Sequence, residues 1–208
     1  MGLLVTNGCQ SGEYERGLDA AKKGDFDTAV QIWTPLATNG DARAQYDLGG
    51  VYDLVFNDFT TAAKWLEMAA EQGHVRAQNN LGNLYKSGKG VKKDLDVALK
   101  WFLRASERGH ATAILSAAFL LEENGGLRQS LVLFDAFSRG ESELNLRVRR
   151  ILNGEGNDEE KVKSIKDLIL DADDQYETNP PLVNTVLEPQ YTSITRSIRT
   201  TPEDEVSY

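Results

Sequence analysis

The 208-residue chain has one cysteine, Cys9, and two histidines, His74 and His110. A single thiol cannot close an internal disulfide, so the fold holds without covalent staples and either redox compartment is open to it. Two histidines in separate stretches, without cysteine partners, give no zinc pattern of the usual spacing, and neither a metal nor another cofactor is expected. Basic residues are outnumbered, 23 Lys and Arg against 32 Asp and Glu, for a formal net charge of −9. That balance argues against a sequence-independent nucleic-acid binder, which needs a cationic face. Long apolar runs are missing too. The longest, around Ala111 to Leu121, is interrupted by Thr112 and Ser116 and falls short of the roughly 18 residues a membrane-spanning helix needs. The remainder is ordinary globular composition, 40% hydrophobic and 26% charged, enough for a real core.

What the sequence does contain is a repeat. Ala44, Gln45, Leu48, Gly49 and Tyr52 return as Ala77, Gln78, Leu81, Gly82 and Tyr85 at an offset of 33. Downstream, Trp65, Ala69, Gly73 and His74 return as Trp101, Ala105, Gly109 and His110 at an offset of 36. The difference is a longer second loop through Gly88 and Gly90. Such periods mark stacked supersecondary units. Ala44, Leu48 and Tyr52 stand at i, i+4, i+8, and Ala62, Trp65, Leu66 and Ala69 at i, i+3, i+4, i+7, so each unit reads as two amphipathic helices. Gly49 and Gly82 inside a helix each cost about 1 kcal/mol relative to Ala, a penalty that makes sense where a neighbouring helix approaches closely. Gly40, Gly73 and Gly109 follow the last helical turn and read as stops.

These residues resemble the Sel-one-like repeats, relatives of the tetratricopeptide repeats. The likeness is closest at Ala77, Leu81, Gly82, Tyr85, Gly88, Gly90, Asp94, Ala98, Trp101, Ala105, Gly109 and His110. Weaker copies flank these. An opening unit is marked by Tyr14, Ala20, Gly24, Phe26, Ala29 and Trp33, and a degenerate one by Ala113, Ala117, Leu121, Ser130 and Leu133. A fifth is marked by Leu144, Val148 and Ile151, then by Val162, Ile165 and Ile169. The resemblance implies an all-α superhelix of about ten helices in four to five units over residues 12–177. It also implies a bacterial adaptor or scaffold that binds a protein or peptide partner in the concave groove and is a monomer. The alternatives are a cell-envelope enzyme or enzyme-associated subunit linked to β-lactam or cell-wall chemistry, or a self-assembling structural lipoprotein. Enzymatic relatives carry paired cysteines in each repeat, and this chain has none. Self-assembly would use apolar faces such as Leu131, Phe134 and Phe137.

No catalytic constellation is present. His74 and His110 repeat at equivalent positions, as structural turn residues do and a catalytic base does not. The string from Gly82 to Gly90 is not a phosphate loop, because its first two glycines are wrongly spaced and Gly90 replaces the Ser or Thr. Asp171, Asp173 and Asp174 start like a calcium loop, yet Tyr176 and Leu182 stand where Gly and Glu are required. Trp33, Trp65 and Trp101, at repeat spacing, are core residues rather than a ligand box. With Leu48, Tyr52, Leu81 and Tyr85 buried, helical geometry turns Arg43, Tyr46, Asp47 and Gly50 outward in one unit. In the next it turns out Arg76, Asn79, Asn80, Asn83 and Lys86. Asparagine amides can pair with a peptide backbone and arginine can take a carboxylate, so these are the candidate partner-binding residues. The lysine clamp of some tetratricopeptide domains is not reproduced, since its positions carry Tyr46 and Gly50.

The two ends differ from the repeats. Residues 151–208 carry 13 acidic and 5 basic residues, so almost all the net charge lies there, and residues 178–208 read as an acidic, proline-containing tail. Residues 1–11 resemble the end of a bacterial lipoprotein signal leading to Cys9, the candidate lipidation site, without the basic start and full apolar stretch. If that reading holds, the repeats face the periplasm or cell surface; otherwise the protein is cytoplasmic.

Overall fold

The computed structural model describes the backbone of residues 7–139 and 143–178, and the side chains of 12–139 and 145–169. Among the described residues there are ten α-helices and no strand. They are α1 Asn7–Lys22, α2 Phe26–Thr38, α3 Ala42–Leu54, α4 Phe59–Glu71, α5 Val75–Ser87, α6 Leu95–Ser106, α7 Ala111–Glu123, α8 Leu127–Ser138, α9 Glu143–Asn153 and α10 Asp158–Thr178. The chain forms two compact units, Met1–Ala105 and Ser106–Tyr208. In the first, α1 packs on α2, α2 on α3, α3 on α4 and α4 on α5; in the second, α7 packs on α8, α8 on α9, and α10 on α8 and α9. The architecture is an all-α solenoid of helical hairpins.

A recurring capping scheme starts these helices. The side chains of Asp25, Asp58 and Asp94 accept the backbone N–H three residues on, at Thr28, Thr61 and Val97. Each thereby satisfies one of the orphan donors of a helix N-terminus. The alternate helices α3, α5 and α7 begin at Asp41, His74 and His110, whose side chains accept from Ala44, Ala77 and Ala113. The histidines are therefore structural, and the role is an N-cap. Just before them Gly40, Gly73 and Gly109 have φ of 93°, 84° and 78°, the left-handed stops the sequence predicts.

The helix-interior glycines mark close approach. A Cβ on Gly49 would lie 2.6 Å from Leu66 of α4, and one on Gly82 would lie 2.6 Å from Phe102 of α6. Leu66 and Phe102 are themselves buried. A third device is a buried amide. Gln45 donates to the Ala37 carbonyl at 2.9 Å, Gln78 to Ala70 at 3.1 Å and Asn145 to Phe137 at 2.7 Å. Each adds a side-chain donor to a carbonyl in the last turn of the helix before, beside the backbone N–H of the turn that follows.

Each unit has its own core. Trp33, Leu36, Leu48 and Val51 lie in one cluster of the first unit and Leu66, Leu81 and Leu84 in another. Trp33 is fully buried, while Trp65 and Trp101 are half-buried against these clusters. The second unit is built on Phe119, Phe134, Phe137, Val148, Val162 and Ile165. This corrects one expectation: Phe134 and Phe137 are buried and Leu131 packs against the same cluster, because α9 and α10 cover α8. They offer no free face for self-assembly. The calcium-like string runs through the helical backbone of α10. Residues 179–208 of the expected tail, and the side chain of Cys9, lie outside the described residues.

Candidate functional site

In the first unit, α1, the start of α3 and the turn into α5 enclose an open cleft of about 450 Å³. It is lined by Tyr14, Arg43, Tyr46, Asp47, His74 and Arg76, with Gly73 and Val75. Repeat geometry creates it, since Arg43 and Arg76 occupy the same position in successive units, 33 residues apart.

Asp47 lies in the cleft with only 5% of its surface exposed. The Tyr14 hydroxyl donates to its Oδ2 at 2.6 Å. Burial raises the Asp47 pKa to about 6, against the lowering effects of the Tyr14 hydrogen bond and of Arg43 and Arg76. Burial and the adjacent carboxylate push the Tyr14 phenol far up, which keeps it a donor. The Arg43 guanidinium lies 4.4 Å from the Tyr14 ring centroid and engages Asp41 through Nε at 3.3 Å and Nη2 at 2.8 Å. Burial works against the Asp41 charge, but the Arg43 side chain and the Ala44 and Arg43 amides hold its pKa below the ordinary value. Across the cleft Tyr46 stacks on His74 at 4.5 Å. Burial, and then Arg76, lower the His74 pKa, which suits a ring whose Nδ1 must accept from Ala77. The cleft thus combines cations, aromatic walls and a desolvated carboxyl, a combination that concentrates at binding sites.

Of the residues singled out in the sequence, the structure brings Arg43, Tyr46, Asp47 and Arg76 together. Two do not point freely outward. Asp47 is covered by Tyr14, from a helix whose repeat signature is atypical. Asn79 is 3% exposed; its Nδ2 reaches Asn80 at 3.4 Å and its Oδ1 has no hydrogen-bond partner. Asn80, Asn83 and Lys86 are half-buried on α5 and do not line the cleft. Sequence reasoning missed Tyr14 and His74 as lining residues. For His74 a signal existed, its place one residue before α5 and two before Arg76.

Among the described residues no three His, Cys, Asp or Glu side chains group as a metal site would require. None of the described helices is long and apolar enough to cross a membrane. A smaller cleft of about 290 Å³ in the second unit is lined by Glu122, Leu127, Glu159, Val162, Lys163, Lys166 and Asp167. Lys166 and Glu122 already pair there at 2.6 Å.

Helical hairpins with periodic caps, keyed glycines and buried amides define an α-helical repeat protein. Residues 42–74 and 75–110 match the Sel1 repeat, so α3 to α6 are built of Sel1-like repeats. Two solved structures share its fold. A Sel1 repeat protein from Oxalobacter formigenes superposes with a TM-score of 0.60 at 22% identity, covering 78% of this chain and 75% of that one. A protective antigen present in uropathogenic Escherichia coli strains, displaying an SLR fold, gives a TM-score of 0.61 at 24% identity. That match covers 96% of this chain, which spans only 42% of the antigen's length. No curated protein matches the sequence. Sel1 repeat proteins generally mediate protein–protein interaction and are typically scaffolds without enzymatic activity.

Proposed function

We propose that this chain is a non-enzymatic interaction scaffold that holds an extended peptide or partner segment in the cleft of its first unit. Residues 12–177 are its repeat array and 178–208 its acidic tail. The observation that carries the reading is the convergence of Arg43, Tyr46, Asp47, His74 and Arg76 on one open cleft. A peptide presents both an N–H and a carbonyl at each residue. The arginines donate to the latter, or to a carboxylate, while Tyr46 supplies a flat apolar wall.

The test is affinity capture from source-cell lysate with the wild type and Tyr46→Ala/Arg76→Ala, read by quantitative mass spectrometry, with circular dichroism showing that the variant is folded. A specific partner whose recovery falls at least tenfold supports the reading. Equal recovery of the same partners by the folded variant overturns it.

A further inference from the structure

A second surface lies where the C-terminal end of α3 leads into α4, roughly 15 Å along the helix from Arg43. Leu54, Val55 and Phe56 follow one another there and are 48%, 37% and 41% exposed. Single exposed apolar residues are ordinary, whereas a contiguous exposed apolar patch is a candidate interaction site. The backbone holds them out. The amides of Val55 and Phe56 both bond to the Val51 carbonyl, Asn57 turns the chain with a φ of 55°, and Asp58 caps α4. Phe56 stands edge-on to Tyr52 at 5.5 Å, which fixes the ring at the surface.

The loop between α5 and α6 lies against the start of α4, three residues beyond Phe56. A Cβ on Gly90 would fall 2.1 Å from the Phe59 carbonyl oxygen, and the Lys89 ammonium sits 5.0 Å from the Phe59 ring centroid. The loop carries Lys89, Lys92 and Lys93, all exposed. Among the described residues none of the three is in an ion pair. Of the nearby acids, Asp58 and Asp94 accept from Thr61 and Val97 at helix starts, and half-buried Asp53 has its pKa raised by burial and lowered by the charge of Lys89. The acidic excess of the chain lies in residues 151–208.

We propose that this edge docks on an anionic lipid surface. Leu54, Val55 and Phe56 enter the interfacial layer, and Lys89, Lys92 and Lys93 meet the headgroup phosphates. Two features favour lipid over a shaped protein partner. The apolar residues are exposed in succession and line neither described cleft, and the cations are lysines, hydrated point charges on flexible stems, not guanidinium forks. A short apolar wedge flanked by such charges suits a fluid interface whose attraction is additive and salt-sensitive. The proposal is independent of the cleft and its partner.

The full chain is tested by co-sedimentation with phosphatidylcholine vesicles, with and without phosphatidylglycerol, at low and high salt. Binding is expected only with phosphatidylglycerol and should fall at high salt. Lys89→Glu/Lys92→Glu/Lys93→Glu weakens it by at least tenfold, given about fivefold per lysine at an anionic surface. Leu54→Ser/Phe56→Ser abolishes it while helicity is retained. Phe56→Trp provides a second reading, a blue-shifted emission on adding the anionic vesicles. No sedimentation with anionic vesicles at low salt, or binding that survives both sets of substitutions, overturns the proposal. So does a soluble acidic protein that binds through these same residues when vesicles do not.

Discussion

Asp47 is the residue where stability and function pull apart. Its carboxyl is buried, its folded pKa lies near 6 against an ordinary 3.8, and so the folded chain holds that proton more tightly than the unfolded one. By linkage its favourable contribution is present below about pH 4, is lost as the pH rises through 6, and is fully lost above. Asp47→Asn keeps an acceptor for the Tyr14 hydroxyl and removes the charge. It is expected to stabilise the protein by about 3 kcal/mol at pH 7.5, from roughly 1.4 kcal/mol per pKa unit, and by little at pH 4. Thermal melts at the two pH values check this, and equal shifts at both would show that the carboxylate is not the source. A variant that gains stability and loses its partner would fit the trade common at binding sites. Little of this was legible in the sequence. A helical wheel anchored on Leu48 and Tyr52 turns Asp47 outward, and nothing in the repeat shows that Tyr14, from a helix without the full signature, closes over it.

At the scale of the element, adjacent glycines in α3 have opposite meanings. Gly49 faces Leu66, with 2.6 Å for a Cβ, while Gly50 has nothing within 4 Å of one. Gly49→Ala therefore forces a buried side chain to move and should destabilise by about 1–3 kcal/mol, the usual range for overpacking. Gly50→Ala adds helix propensity without a clash and should stabilise by about 0.5–1 kcal/mol. Urea unfolding of the two variants separates them, and shifts of the same sign would contradict the packing described. Here the sequence was informative, because Gly49 recurs as Gly82 and Gly50 does not recur, and a glycine kept at repeat spacing despite its helical cost implies close approach. The paired Gln45 and Gln78 were as visible as the glycines. Their role was not, since a polar residue one position from the apolar stripe reads as surface until the carbonyls of Ala37 and Ala70 are placed beside it.

For the whole molecule, what the repeat pattern leaves open is where one cooperative unit ends. The two clear repeats run to His110, and the weaker copies beyond them follow the same helical period, so periodicity alone draws no boundary. Side-chain volume does. The first unit builds its clusters largely from Ala, Leu and Trp packed around glycine. The second lacks Trp and fills its core with Phe119, Phe134 and Phe137, with Phe119 and Phe134 edge to face at 5.4 Å. The first unit holds both its clusters within Met1–Ala105, and a region with its own closed core can fold alone. A fragment of residues 1–109, ending at the left-handed Gly109, is therefore expected to be helical and to unfold in one sigmoidal urea transition. Circular dichroism at 222 nm and tryptophan emission should report the same midpoint, since Trp33 lies in the core that the helices build. Helical signal that declines without a transition would show that these clusters need residues beyond 109, and the cleft would then have to be studied only in the full chain. A cooperative fragment, by contrast, isolates Tyr14, Arg43, Tyr46, Asp47, His74 and Arg76 from the acidic end, so that partner affinity measured on it reports the cleft alone.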